Sequence, residues 1–436
     1  MARVLRVCGL VLASFLLLVS AAPVPQANRP NILLIVVDTL RFDAISAVNT
    51  PFLASLSKRA VVFTHAYSTH DFTPTSHFSI FTGLRDGLGG DLDGVESGVP
   101  YQLQRTGYTT FATVANDLIG TKQMPVLRGF GDFKDLLDVH ANPNDLMTAR
   151  TRIDMRLAMY GFRPTQHARA IAYFNAGRLL PLFAQQIRSA KAPYFGFVNL
   201  IDPHEPYMPD PDFYPPEQNI PPGFVADVLT RNVGPELAHP ESIADPARRK
   251  YVQSLIDTVK FPRLVAIDLS PQALQIYHQR YLAKVKKADA MLQLFFGDLE
   301  RQHALDNTVV IITSDHGEEF GESHFITHML RDKGDYEATH HVPLMVVLPP
   351  SMSRKAAVVD REVSIDMLAP TIYDFGGVDS SPLRKNVAGF APSVSRLIVA
   401  STQPYVATAS VPPKAQRDPT AASERERAMK SLGYIQ

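Results

Sequence analysis

The sequence predicts an α/β fold in which a doubly wound, mostly parallel central sheet carries helices on both faces and a smaller subdomain follows at the C-terminus. Unbroken apolar runs, typical of strands buried on both faces, alternate with segments of helical periodicity. The chain has 436 residues, of which 45% are hydrophobic, enough for one large core. The predicted strands are residues 31–37, 108–115, 195–201, 309–313 and 342–348, and the predicted helices are 51–60 and 273–301.

The first 22 residues have the layout of a signal peptide. Arg3 and Arg6 precede an apolar stretch at 7–20, and the small residues Ala21 and Ala22 follow. This order predicts cleavage after Ala21 or Ala22 and export to the periplasm or out of the cell. An uncleaved membrane anchor is the alternative, although the apolar stretch is short for a bilayer span.

Charge and cysteine content exclude several classes of protein. Lys+Arg and Asp+Glu both number 43, so no net positive field favours nucleic acid as a partner. The only cysteine, Cys8, lies in the predicted signal peptide. Its removal would leave a chain with no disulfide, no cysteine nucleophile and no cysteine metal ligand. No later stretch has the pattern of a membrane span.

Four regions are expected along the chain. They are a signal peptide at 1–22, a linker at 23–30, a catalytic α/β domain at 31–380, and a C-terminal subdomain and tail at 381–436. Within the catalytic domain, segment 205–270 is rich in proline and polar residues, with weak periodicity. We expect it to form long surface excursions that shape a pocket.

The first predicted strand ends at a carboxylate. Asp38 follows the apolar run 31–37, and a carboxylate buried there needs a cation or strong hydrogen-bond donors. A helix N-cap is the alternative role for this residue. The next helix is predicted over 51–60, with Thr50 as its N-cap and Pro51 at its first position.

A hydroxyl-rich segment, TPTSHFSIFTG, follows at 73–83. Three of its hydroxyls, on Thr73, Thr75 and Ser76, lie just before His77 in sequence. A hydroxyl at a helix start beside a metal ion can ionise and attack phosphorus or sulfur, and the helix N-terminus stabilises anionic oxygens. An ordinary Ser/Thr-rich N-cap is the alternative.

Two later strands also end at residues that can bind or transfer protons. His204, in the segment DPHEPY, can bind an ester oxygen or protonate a leaving group, or it is a structural loop histidine. Asp315 and His316 follow the strand 309–313 and can bind one divalent cation together. An N-cap aspartate beside an exposed histidine is the alternative. Ligands bind beyond the carboxyl ends of strands in such sheets, so we expect these residues to converge.

These segments, in this order, resemble the sulfatase family of the alkaline phosphatase superfamily. The resemblance runs from about Arg29 to Ile435 and implies the fold predicted above. The segments that carry it are RPNILLIVVDTLRFD, TPTSHFSIFTG, FVNLIDPHEPY, DNTVVIITSDHGEEFGE, YEATHHVPLMVVLPP, VSIDMLAPTIYDFGGV and the closing LGYI, with a weaker match at YQLQRTGYTTFATVAN.

The resemblance assigns a role to particular residues. Asp38, Asp315 and His316 match metal ligands, and Thr73 stands at the nucleophile position, where its hydroxyl would share the metal. His204 matches a catalytic histidine that contacts the transferred group, and Ser76 and His77 stand where the family shows Ser-Arg or Ser-His, which would let His77 act in catalysis by stabilising oxyanions. Ser76 and one or both of His328 and Lys333 match substrate-binding positions. Thr39 stands where many members have a second acidic ligand, and the candidates for a second metal are Asp202, His328 and His341.

The sequence departs from the family pattern at the nucleophile. Pro74 comes one place after Thr73, whereas the family has proline two places after the nucleophile, so Thr75 is the alternative. Formylglycine-dependent sulfatases oxidise a Cys or Ser, and Thr cannot be converted in this way. Members with Thr at this position resemble phosphodiesterases and phosphoglycerol-type transferases.

We therefore expect an ester hydrolase that depends on a divalent cation (Mn, Mg, Ca or Zn) and cleaves sulfate or phosphate esters through Thr73. Its substrate would be a small, glycan or lipid anionic ester. One alternative is a transferase of phosphoglycerol or phosphoethanolamine groups onto envelope glycans or lipids. The other alternative is an inactive relative that binds anionic glycans.

Overall fold

The computed structural model describes residues 29–85, 98–116, 118–136, 173–205, 207–210, 212–213, 240–247, 249–250, 271–323, 326–328, 334–352, 356–381 and 389–400. The predicted signal peptide, Lys333, most of segment 205–270 and the tail beyond 400 lie outside these residues. The predicted region boundaries at 22, 30 and 380 therefore stay predictions. Among the helices described, none has the length and apolar character needed to cross a bilayer.

An eight-stranded sheet forms the centre of the described chain, in the order β10-β2-β9-β6-β1-β5-β3-β4. All neighbouring strands pair in parallel except β9, which runs antiparallel to β2 and β6. A separate ribbon pairs β7 with β8. The strands are β1 (Asn31–Val37), β2 (Val61–Tyr67), β3 (Thr109–Val114), β4 (Asp132–Asp135), β5 (Tyr194–Leu200), β6 (Thr308–Thr313), β7 (Glu319–Phe320), β8 (Ile326–Thr327), β9 (Leu344–Val347) and β10 (Ala357–Ser364).

Helices cover both faces of this sheet. They are α1 (Pro51–Leu56), α2 (Thr73–Thr82), α3 (Val99–Arg105), α4 (Ala176–Ser189), α5 (Pro271–Arg301), α6 (Tyr336–His340), α7 (Leu368–Gly376) and α8 (Ser395–Ala400). Short 3-10 turns occur at Phe42–Ala44, Ser57–Arg59, Pro125–Gly129, Pro240–Ser242, Pro350–Met352 and Ile365–Met367.

The central strand β1 explains why the sheet is covered on both sides. Alternate residues of its NILLIVV run point into two separate hydrophobic cores, because successive side chains of a strand face opposite ways. Leu33 packs in the core beneath α4 and α5, with Phe183 and Leu292. Ile32 packs in the other core, beneath α2, α3 and α7, with Phe81. The predicted mostly parallel, doubly covered α/β sheet is confirmed.

Some elements differ from the sequence prediction, each for a local reason. The sequence does not predict strand β2 because Thr64 and His65 interrupt its apolar run; both side chains contact Asp360 of β10. Helix α4 contains Pro181, which normally argues against a helix interior, yet its amphipathic pattern buries a full apolar face. The strand predicted at 342–348 is shorter, Leu344–Val347, and runs antiparallel.

The N-terminus of α1 corrects the predicted cap. The helix begins at Pro51 as expected but ends at Leu56, and the Thr50 side chain makes no capping hydrogen bond. The Thr50 hydroxyl instead bonds the Ser46 backbone. The cap comes from Asp289 on α5, whose carboxylate accepts hydrogen bonds from the backbone N–H groups of Phe52 (2.9 Å) and Leu53 (2.8 Å).

Replacing Asp289 with Ala should lower the free energy of unfolding by about 1–2 kcal/mol, because two backbone donors of α1 lose their acceptor. Chemical denaturation of the variant beside wild type measures this loss. Asp306→Ala is the matched control, since that carboxylate is 69% exposed. Equal unfolding free energies for the two variants would show that Asp289 is not the cap of α1.

Candidate active site

Four side chains from three separate parts of the chain converge at the carboxyl edge of the sheet. Asp38 directly follows β1, Asp315 and His316 follow β6, and Thr73 is the first residue of α2. All four are at most 1% exposed. One ligand atom from each of Asp38, Asp315 and His316 lies within 4.8 Å of the others. The Thr73 Oγ lies 3.1 Å from Nε2 of His316.

Two carboxylate oxygens in this cluster have no hydrogen-bond donor among the described residues: Oδ1 of Asp38 and Oδ2 of Asp315. They lie 3.8 Å and 3.6 Å from Nε2 of His316. Burial, together with the neighbouring charge of Asp315, raises the pKa of Asp38 well above its usual range. Buried carboxylates without donors are costly unless a cation compensates them, so this donor set fits a divalent metal ion.

Hydrogen bonds orient each of these groups toward the centre of the cluster. The amide of Asn116 donates to Oδ2 of Asp38 (3.0 Å), and the His316 N–H donates to Oδ1 of Asp315 (3.0 Å). The Nδ1 of His316 lies 2.9 Å from the Gly317 carbonyl, so it carries the proton and leaves the Nε2 lone pair toward the carboxylates. Burial lowers the pKa of His316, which favours the neutral imidazole that binds metals.

The backbone around the cluster is unusually constrained. Thr39 has a left-handed φ of 58°, and its N–H points toward Oδ1 of Asp315 (3.4 Å). A Cβ at Gly317 would meet the Ala338 carbonyl at 2.1 Å, so only glycine permits α6 to approach this loop. The Ser314 hydroxyl accepts from the Leu40 N–H (2.9 Å) and joins the two loops.

The start of α2 places Thr73 and His77 on the same side of the helix. The Nδ1 of His77 donates to the Thr73 carbonyl (2.9 Å) and lies 3.5 Å from Oδ2 of Asp315. Burial lowers the pKa of His77, which favours the neutral ring. Pro74 has no backbone N–H and the Ser76 N–H bonds the Phe72 carbonyl (3.0 Å), so the N–H groups of Thr73 and Thr75 are the donors at the helix start.

Other hydroxyls of the segment are bound elsewhere. The Thr75 hydroxyl donates to the Phe72 carbonyl at 2.9 Å. The Ser76 hydroxyl contacts Ser68 (3.1 Å) and donates to the His70 carbonyl (2.9 Å). This arrangement favours Thr73 over Thr75 as nucleophile, and a substrate-binding role for Ser76 stays a prediction.

A row of three histidines extends from the cluster. The ring of His328 lies 4.3 Å from that of His316 and 4.9 Å from that of His204, measured between centroids. The Nδ1 of His328 is 3.0 Å from Oε1 of Glu318, a buried residue whose burial raises its pKa to about 8. The structure thus brings His204 and His328 beside the cluster, and the contacts with substrate that the resemblance implies for them stay predictions.

The two other second-metal candidates have different contacts. Asp202 accepts a hydrogen bond from the Ala176 N–H at the start of α4 (2.6 Å). The ring of His341 stacks on Phe42 and bonds the Thr64 carbonyl (2.9 Å). Neither belongs to the metal-ligand group found among the described residues.

Two residues of the site were not identified from sequence. Glu318 follows the predicted Asp-His pair in the quoted motif, and Asn116 ends the segment YQLQRTGYTTFATVAN. Asn116 contacts Asp38, and Glu318 contacts His328. Asn116 directly follows the predicted strand 108–115, which was the available signal for it, whereas nothing in the local sequence marks the role of Glu318.

Comparisons with known proteins agree with this geometry. A model of the sulfatase family matches residues 30–378. Choline-sulfatase of Rhizobium meliloti is 23% identical over 88% of this chain and 76% of its own length. N-acetylglucosamine-6-O-sulfatase of Bacteroides thetaiotaomicron is 24% identical over 81% of this chain and 69% of its own length. The crystal structure of phosphonate monoester hydrolase of Agrobacterium radiobacter has a similar fold, with a TM-score of 0.54 and 20% identity over 92% of this chain and 83% of that protein.

Proposed function

Because this chain belongs to the sulfatase family of ester hydrolases, we propose that it is a metal-dependent hydrolase of sulfate or phosphate esters that acts through Thr73. The observation that carries the proposal is the buried convergence of Asp38, Asp315, His316 and Thr73, in which two carboxylate oxygens lack a donor among the described residues. Such a cluster is costly in a protein that only binds glycans, and a metal-dependent reaction accounts for it.

The three ligands Asp38, Asp315 and His316 would hold the cation beside the Thr73 hydroxyl. A divalent cation bound there supplies a Lewis acid that lowers the pKa of a neighbouring hydroxyl and stabilises charge on ester oxygens. The mixed oxygen and nitrogen ligand set is compatible with Mn²⁺, Mg²⁺, Ca²⁺ or Zn²⁺.

The chain's own groups then account for each bond and proton. The Thr73 hydroxyl would release its proton to solvent, and its Oγ would form a bond to the sulfur or phosphorus while the bond to the leaving ester oxygen breaks. His204 donates a proton to that leaving oxygen, and the helix N-terminus of α2 stabilises the oxyanions of the transferred group. Water would then attack the resulting ester of Thr73, release the sulfate or phosphate and restore the hydroxyl, while His204 takes a proton from the water and returns to its first state.

The identity of the nucleophile supports phosphorus chemistry at least as strongly as sulfate chemistry. Threonine carries a methyl group on the carbon that would have to become an aldehyde, so it must react as a simple alcohol. An alcohol nucleophile can also pass its group to a second alcohol. A transferase that uses glycan or lipid hydroxyls as acceptors is therefore the second candidate function, and the predicted signal peptide would place either activity outside the cytoplasm.

Chelation of the purified protein should lower turnover of 4-nitrophenyl phosphate, 4-nitrophenyl sulfate or a phenyl phosphonate monoester by at least about a hundredfold. One of the four cations, at about one ion per chain, should restore it. Product analysis with added glycerol separates the two functions, because a transferase forms a glyceryl ester. Undiminished turnover after removal of all bound metal would refute metal dependence.

A further inference from the structure

The segment that carries His204 is held by two helices. This His204 segment comprises the described residues of 201–210, and its histidine ring packs 4.9 Å from His328, beside the metal-ligand cluster. The Nδ1 of His204 lies 2.7 Å from the Glu205 carbonyl, which fixes the ring relative to its own backbone. The position of that backbone therefore determines where the imidazole lies.

A buried lysine of α5 binds the backbone of His204 directly. The Nζ of Lys284 donates to the His204 carbonyl at 2.6 Å, and the residue is only 7% exposed. Burial lowers the pKa of this amine to about 7, and the charge of Asp202 opposes the decrease. An amine is costly to bury, and the hydrogen bond to the His204 carbonyl offsets part of that cost.

A second lysine holds the far end of the same segment. Lys287, three residues along α5, forms an ion pair with Asp210. At the near end, Asp202 accepts from the Ala176 N–H at the start of α4. The segment is thus attached to α4 before His204, and to α5 at His204 and after it. Lys284 and Lys287 can act together because residues three apart on a helix face the same way.

We propose that Lys284 and Lys287 are positioning residues that hold the His204 segment on α5 and so place the His204 imidazole beside His328 and the metal-ligand cluster. This proposal rests on the proposed function in one respect, the role of His204 in protonating the leaving group. Neither lysine touches the reacting atoms.

The test uses the full chain with Lys284→Met and Lys287→Met, which keep the aliphatic stem and remove the amine. Lys286→Met is the matched control, because Lys286 lies between them on α5 and has no hydrogen bond or ion pair within the described chain. Lys287 is 15% exposed at its side chain, so its variant is expected to fold even if Lys284→Met does not.

The first measurement needs no activity. NMR spectra of nitrogen-labelled protein report the environment of each histidine ring. The His204 signal is assigned by its loss in His204→Gln. Lys284→Met and Lys287→Met should shift the His204 signal, and Lys286→Met should leave it in place. An unmoved His204 signal in the first two variants overturns the proposal, whether or not the protein turns over esters.

The second measurement is a double-mutant cycle on turnover. Lys284→Met should lower kcat by about tenfold to a hundredfold with little change in KM, and Lys287→Met by a smaller factor. In the His204→Gln background neither variant should cause a further loss. Equal losses in both backgrounds would show that the lysines act on the whole fold and not through His204. Failure of the Thr73 mechanism can be told apart from failure of the positioning proposal. In the first case Thr73→Ala retains turnover, while the spectra still show whether the lysines position His204.

Discussion

Replacement of Thr73 with Ala should lower turnover of sulfate and phosphate esters by about 10⁴-fold or more, because the proposed reaction loses the atom that forms the covalent bond. The Thr73 Oγ is the hydroxyl that lies beside His316, at 3.1 Å. The remaining rate would come from substrate binding and oxyanion stabilisation alone. Steady-state kinetics on 4-nitrophenyl esters, with the metal content of each preparation measured, test this expectation.

Two variants serve as controls for the nucleophile. Thr73→Ser keeps the hydroxyl and should retain most of the turnover. Thr75→Ala removes a hydroxyl that is bonded to the Phe72 carbonyl, and its turnover should stay within about tenfold of wild type. A Thr75→Ala variant that is inactive beside an active Thr73→Ala would reverse the assignment and identify Thr75 as the nucleophile.

Replacement of Asp38 with Asn should have opposite effects on metal binding and on stability. Metal affinity should fall by about a hundredfold, or about 2.8 kcal/mol, because one anionic ligand is lost. The metal-free protein should become more stable at pH 8 by about 1 kcal/mol or more, because a buried carboxylate without a donor at Oδ1 is replaced by a neutral group. Calorimetric titration with metal and denaturation of the chelated protein measure the two effects.

The stability gained by metal-free Asp38→Asn should depend on pH in one direction. Burial and Asp315 raise the pKa of Asp38 well above its usual range, so the folded state binds a proton more tightly than the unfolded chain does. The metal-free wild type therefore loses stability as the pH rises through the raised pKa, and the advantage of Asp38→Asn should shrink as the pH is lowered below it.

Asp43→Asn is the matched control for Asp38→Asn. Despite some burial, hydrogen bonding to Arg41 lowers the pKa of Asp43, and its side chain is 62% exposed. This variant should leave metal affinity unchanged and alter stability by no more than about 1 kcal/mol. A metal-free Asp38→Asn protein less stable than wild type at pH 8 would contradict the proposed electrostatic cost.

The sequence predicted the parts of the molecule that depend on local pattern. The apolar run of β1 and the residues that end strands, Asp38 and Asp315, follow from periodicity and from the edge at which parallel strands end. Asp289 and Lys284 could not be predicted, because each acts on a backbone group far away in sequence, on α1 or on the His204 segment. Such contacts arise only when helices pack, and the helical pattern of α5 does not specify them.

The antiparallel strand β9 must be in place before the site can form. Val346 pairs with Val61 of β2 on one side and with Ile311 of β6 on the other, so β9 separates the strand that leads to Thr73 from the strand that leads to Asp315. The proposed nucleophile and metal ligand reach their final spacing, two strand widths of about 5 Å each, only when β9 lies between the two strands. A chain that ends before Leu344 therefore has all the proposed site residues but lacks the strand that sets their spacing. We expect such a truncated chain to cleave no ester.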